Sequence, residues 1–279
     1  MASNVIRVGN VEIMSLSDGM LEFDLCNFFP TIPQENWRQY ESHLTEEHKV
    51  RFNLGSYLIR SDGRTILVDT GLGPKPAEAP DAPWGRLMHD FQANAVRPEE
   101  VDMVVMTHLH RDHVGWNLLA QGQKYAPTFP NARYWMSAKD WDVCHQPDVQ
   151  RERFPNAPTC VWPLEELGLV ELMHGEHTIS RELTAVPTPG HTPGHVSILI
   201  TSQGERALVL GDAAHSPAQA ITSALRDARR RPPGRRRTPN IRYLFALLIR
   251  RSLYVRPIYP AICIVSTGAP IYHRWTLVE

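Results

Sequence analysis

The sequence predicts an α/β fold in which two sheets pack together and helices cover them. Three observations carry this. Short apolar runs rich in β-branched residues recur along most of the 279-residue chain. Helix-like stretches are interspersed among them. The loops richest in Gly, Pro, His and Asp stand directly after apolar runs. A chain of this length often forms one α/β domain and can bury a sizeable core. Its 42% hydrophobic and 21% charged residues are ordinary globular proportions.

The elements follow in order. Val11 to Leu16 alternates and reads as a strand. Residues 20 to 53 are mixed, with a polar, helix-like piece around Gln34 to His48. Leu54 to Ile59 and Thr65 to Val68 read as a hairpin around the turn Ser61-Asp62-Gly63-Arg64. A Pro-rich loop follows, and a helix is expected from Trp84 to Ala95. Val101 to Met106 reads as a buried strand. Arg133 to Met136 is another, and Ser137 is suited to cap a helix through Asp142. The Pro-rich residues 146 to 163 read as loop. Val170 to Met173, Leu183 to Val186, Val196 to Thr201 and Ala207 to Leu210 are four further strands.

The chemistry gathers where these strands end. THLHRDH, residues 107 to 113, follows the apolar run MVVM. Imidazole and carboxylate are standard ligands for zinc and related divalent metals. His108 and His110 are two apart, so in extended backbone they point the same way. Asp112 and His113 follow at the turn. One ion cannot comfortably take all four from so short a segment, whereas two adjacent ions can. Further ligands must come from elsewhere. His191 lies in TPGHTPGH, residues 188 to 195, between two strands. Asp212 follows the apolar strand LVL, where a carboxylate could bridge two ions.

VDTG (68–71), THLHRDH (107–113), GH (190–191) and GD (211–212) resemble the metallo-β-lactamase superfamily over residues 5 to 221. The resemblance implies a four-layer αβ/βα sandwich with two zinc ions at one edge of the sheets. It implies one ion on His108, His110 and His191, a second on Asp112 and His113, and Asp212 between them. Asp69 resembles the family's aspartate that orients a ligating imidazole through its other nitrogen. DHVGWN and GDAAHSPAQ look closest to the lactonase and organophosphate-hydrolase branch, which includes N-acyl homoserine lactonases.

The activity so implied is a metal-dependent hydrolase. A hydroxide activated by the metal opens a lactone or other ester with an apolar acyl part. Asp112 orients this nucleophile and helps protonate the leaving oxygen. His215 stands where such lactonases carry a tyrosine, so it could polarise the substrate or assist the leaving group; packing is its other reading. Phe28, Phe29, Trp37 and Trp116 could line the acyl pocket, Trp116 foremost. Glyoxalase II-like thioesterase, phosphotriester hydrolase and single-iron sulfur dioxygenase chemistry are alternatives on similar ligands. From another class, a non-catalytic binding protein with a basic arm is the alternative.

One departure stands out. The family places a last histidine some tens of residues after the bridging aspartate. From residue 216 onward the chain has only His273, in an unmatched context, so the second metal site is expected to be incomplete and its ion weakly held or absent. The same region is unusual in charge. Residues 222 to 279 hold twelve Arg, no Lys, one Asp and one Glu, leaving 17 basic and 28 acidic residues before them. RDARRRPPGRRRTP (226–239) is followed by a helix-like IRYLFALLI and an irregular end. We therefore divide the chain into a catalytic domain, residues 1 to 221, and an atypical Arg-rich tail, residues 222 to 279. The tail reads as a basic linker, a nucleic-acid or membrane-surface arm, or the product of a reading-frame shift, and composition favours the last.

No signal peptide or membrane span is expected. The cysteines Cys26, Cys144, Cys160 and Cys263 form no CxxC pair, which fits a reducing, cytoplasmic setting. The expected partner is a small ester or lactone. Nucleic acid is disfavoured, and a homodimer is left open.

Overall fold

Strands that are apolar on both faces need cover on both faces, and the central strands here have it. The structure is a computed structural model describing residues 5–28, 44–75, 84–122, 124–213, 215, 255–257 and 262–265. Strands β1 (Val5–Val8), β2 (Val11–Asp24), β3 (Lys49–Ser61), β4 (Arg64–Val68) and β5 (Met103–Val105) begin the first sheet. A separate hairpin pairs β6 (Leu118–Gln121) with β7 (Lys124–Pro127). Strands β8 (Arg133–Ser137) and β9 (Val170–Met173) complete the first sheet, in the order β1-β2-β3-β4-β5-β8-β9. Pairing is antiparallel up to β4 and parallel from there on.

The second sheet contains β10 (His177–Thr178), β11 (Leu183–Pro187), β12 (Val196–Ser202), β13 (Glu205–Val209), β14 (Val255–Pro257) and β15 (Ile262–Val265). It is antiparallel, in the order β10-β11-β12-β13-β15-β14. The chain's end was expected to be irregular, yet it supplies two strands. Both are short, and Ile262, Ile264 and Val265 of β15 are β-branched residues that suit a sheet.

Ile13, Ile59, Ile66, Val68 and Val105 of the first sheet pack against Ala185, Ile198, Ile200, Ala207 and Val209 of the second. On the other face, Leu58, Leu67, Val104, Tyr134 and Met136 meet Leu87, Phe91, Phe154, Val161 and Leu164. The period-two alternation thus divides β3, β4 and β5 between two cores. Full burial of each large aliphatic side chain is worth about 1.5–3 kcal/mol.

The helices are α1 (Leu25–Phe28), α2 (Leu87–Ala93), α3 (Arg111–Val114), α4 (Ala138–Cys144), α5 (Pro147–Arg153), α6 (Ala157–Cys160) and α7 (Pro163–Glu166). The last three correct the loop expected over 146 to 163. Each carries proline in its first turn, where a missing N–H costs nothing. Ser137 does precede α4, but its hydroxyl makes no capping hydrogen bond. The expected hairpin turn is present, with positive φ at Asp62 (55°) and Gly63 (73°).

β2 runs eight residues beyond the expected strand end, because a bulge between Ser17 and Met20 absorbs an irregularity. There Asp18 is fully buried. Its carboxylate accepts the N–H groups of Leu72 and Leu87 (both 2.5 Å) and of the Trp116 indole (2.9 Å).

Among the described residues the helices and two sheets form three layers. Residues 216 to 254 lie outside the described residues. So do Phe29, Trp37, His273 and most of the Gln34–His48 piece.

Candidate metal centre

The ends of β4, β5 and β13 meet the loop between β11 and β12 at one edge of the two sheets. Val196 N–H donates to the Thr107 carbonyl at 2.9 Å, joining the sheets there. Asp69, the first residue after β4, has a φ of 59°, a conformation aspartate tolerates better than most residues. Its Oδ1 accepts Thr107 N–H, and its Oδ2 accepts the Thr107 hydroxyl, both at 2.7 Å.

Three imidazoles converge beyond Thr107. His108 Nε2 is 3.1 Å from His110 Nδ1, which is 2.8 Å from His191 Nε2. The three nitrogens lie within 4.8 Å of one another. Three ring nitrogens thus bring three potential acceptors to one point. Converging lone pairs of this kind are what a divalent ion uses. Burial lowers His108 well below its ordinary value and takes His110 down to about 3, which favours the neutral form a ligand needs in those two rings.

The neighbouring side is acidic. His113, on α3, directs Nδ1 to Asp69 Oδ2 at 2.8 Å. Its Nε2 faces Asp212 Oδ1 at 3.4 Å and Asp112 Oδ2 at 3.7 Å. Burial alone would lower His113, but Asp212, Asp69 and Asp112 together outweigh it and hold it well above the usual value. Three carboxylates around one imidazole are an excess of negative charge that a dication would offset. Asp212 sits between the two sides. Its Oδ2 faces His191 Nε2 at 3.1 Å and His108 Nε2 at 3.9 Å, while Oδ1 faces His113. Burial would raise its pKa, yet His113 and His215 hold it well below the carboxylate range. The donor set therefore fits divalent metal binding on both sides of Asp212.

The sequence-derived residues are thus brought together with one partial exception. His108, His113 and Asp212 form a second convergent group, and His191, Asp212 and His215 a third. Asp112 belongs to none of these, and its side chain is about one-third exposed (34%) at the rim. His215 Nε2 is 3.0 Å from Asp212 Oδ2, with Phe28 edge-on to the ring at 5.3 Å between centroids.

Residues 55–254 match the family model of the metallo-beta-lactamase superfamily.

The chain belongs to this superfamily.

Among curated proteins, YobT of Bacillus subtilis is 30% identical over 165 residues, 58% of this chain and 62% of YobT. The chain thus spans under two thirds of that relative's length. The N-acyl homoserine lactonase AttM of Rhizobium radiobacter is 26% identical over 202 residues, 61% of this chain and 72% of AttM. In solved structures, the dizinc quorum-quenching lactonase AidC shares the fold with a TM-score of 0.63 and 21% identity. That match covers 77% of this chain and 75% of AidC.

Within this superfamily member, three supporting residues escaped the sequence reading. His195 is fully buried, and burial takes its pKa down to about 3. Its Nε2 accepts Asp212 N–H at 3.0 Å and so fixes the backbone of Asp212. The second PGH of TPGHTPGH was its only signal. Asp140 and Asp18 gave none, since each looks like any helix or strand aspartate. Trp116 corrects an expectation. It is packed in the helix-side core with its indole on Asp18, which is the core reading of an aromatic rather than the pocket one.

Proposed function

We propose that the chain is a metal-dependent hydrolase that opens a lactone or other carboxylic ester with an apolar acyl part. N-acyl homoserine lactone is the preferred substrate. The observation that carries this reading is the convergence of His108, His110 and His191 nitrogens beside Asp212 and His113. The lactonase relatives supply the substrate class. In this reading His108, His110 and His191 hold one zinc ion, Asp112 and His113 a second, and Asp212 lies between them. Ions bound there would acidify water and polarise the substrate's carbonyl oxygen.

The chain's own residues do the rest. Asp69 holds His113 by Nδ1, which keeps Nε2 turned into the site. His195 holds the Asp212 backbone in place. Asp112, at the rim, takes the proton of the attacking water at a carboxylate oxygen and passes it to the leaving oxygen. The new C–O bond replaces the ring C–O bond, so a lactone leaves as its hydroxy acid. In this reading His215, whose Nε2 lies 3.0 Å from Asp212 Oδ2, polarises the substrate or assists the leaving group. Phe28, Phe23 and Phe52 cluster beside His215, with ring centroids 4.7 to 5.8 Å apart, and offer an apolar wall to an acyl chain. The free, buried Cys144 and Cys160 support a reducing cytoplasmic setting. Among the described residues no helix is long and apolar enough to cross a membrane.

The test is a panel of lactone, aryl ester, thioester, phosphotriester and β-lactam offered to the zinc-loaded chain. Ring opening of the lactone as the fastest reaction is expected. Turnover of none of them would overturn the reading.

A further inference from the structure

The metal-ligand loops come from different parts of the chain, and something must fix their separation. The His108–His110 turn follows β5, whereas His191 stands in the loop between β11 and β12. Asp140, on the first turn of α4, anchors the His191 loop directly and faces the backbone of the His108–His110 turn. Its Oδ2 accepts the Thr192 hydroxyl at 2.7 Å, and its Oδ1 accepts Gly194 N–H at 2.6 Å. Burial raises the pKa of Asp140, and the backbone N–H of Leu109, between the two ligand histidines, is among the groups that oppose this. Asp140 is fully buried, so these donors have no water to fall back on.

The loop also presses close. A Cβ on Gly194 would lie 2.5 Å from Asp140 N and 2.7 Å from its Oδ1, so only glycine permits the approach. A second tie runs parallel to the first. Arg153, at the end of α5, donates to the His191 carbonyl at 2.8 Å and lies 3.2 Å from His110 Nε2.

We propose that Asp140 is a positioning residue, the tie that sets the distance between the His108–His110 turn and the His191 loop. It thereby sets the affinity and geometry of the metal they share. This rests on the metal-binding reading of those histidines. Asp140 touches neither metal nor substrate. It acts by holding the three imidazole nitrogens at the spacing an ion needs, a role that commonly governs 10–100-fold in affinity.

The test uses the full chain stripped of metal. Zinc affinity is measured by competition with a chelator, and ligand geometry by the visible absorption of the cobalt-loaded protein. Asp140→Ala is expected to weaken zinc binding by about 10- to 100-fold and to shift the cobalt bands. Thr192→Val removes one donor and nothing else, and is expected to weaken binding several-fold. It decides the matter if Asp140→Ala does not fold. Asp140→Asn keeps an acceptor for Gly194 and offers an N–H to the Thr192 oxygen, so it should recover most of the affinity. Wild-type affinity and spectrum in Thr192→Val and Asp140→Ala would overturn the proposal. So would an Asn variant as weak as Ala, because charge rather than the tie would then be at work. If the wild-type chain binds no zinc at all, the metal-binding reading fails, and the proposal with it.

Discussion

His113 Nδ1 lies 2.8 Å from Asp69 Oδ2, and the same carboxylate holds Thr107 through two further hydrogen bonds. One aspartate at the end of β4 thus orients a ligand-type imidazole and pins the start of the histidine loop. Asp69→Asn keeps the left-handed backbone, which asparagine also tolerates. Its amide then presents N–H to a partner that already donates. The expected outcome is a metal content near one ion per chain, with the His113 side weakened by about 10- to 100-fold. Elemental analysis beside wild type loaded at the same zinc concentration checks this.

Removing a converging ligand should do more. His110→Ala and Asp212→Ala are expected to lower kcat/KM for lactone opening by about a thousandfold or more, about 4 kcal/mol of barrier. Steady-state kinetics at saturating zinc reads the loss. Full recovery by excess metal would show that the residue serves affinity alone.

The metal-stripped protein should lose stability in acid. His110 and His195 stay neutral down to about 3, and His108 is also well below its ordinary value, burial being the main cause in each. The unfolded chain binds protons on these rings near the ordinary histidine value of about 6.5. From about pH 6.5 down to about pH 3 the unfolded state therefore holds more protons, and stability falls with pH. Each ring contributes a slope of at most about 1.4 kcal/mol per pH unit. His113 runs the other way, being held protonated, but its contribution is lost only on the alkaline side. Urea midpoints across this range check the sign. A midpoint flat from pH 7 to pH 4 would contradict it.

Gly211→Ala should destabilise the protein. Gly211 has a φ of 55°, and a Cβ there would lie 2.9 Å from both His195 Nε2 and Thr107 Cβ. The left-handed backbone alone costs about 1–2 kcal/mol. The displaced neighbours add to it and move Asp212. Denaturant unfolding should report a loss of about 2 kcal/mol or more.

What was legible in the sequence was local. THLHRDH compresses four potential ligands into one short segment after an apolar run, so its chemistry shows without a fold. The central strands of both sheets were legible because their cores impose runs of β-branched residues, whereas β1, β10, β14 and β15 at the sheet margins were not. Helices α5 to α7 were hidden because proline, read as a breaker, sits at helix starts here. Asp140 was illegible for a different reason. Its loop partners Thr192 and Gly194 are 52 and 54 residues away, and only the packed fold brings them together. Trp116 misled because closeness to His113 in sequence does not say which way an indole points.

The central claim is that His108, His110 and His191 hold a metal on which hydrolysis depends. The most direct measurement is N-hexanoyl homoserine lactone opening by the zinc-loaded chain, before and after chelation, beside His110→Ala. Ring opening that chelation stops, that added zinc restores and that the variant lacks is the expected result. Ring opening unaffected by chelation, or none from a chain that demonstrably carries zinc, would contradict it.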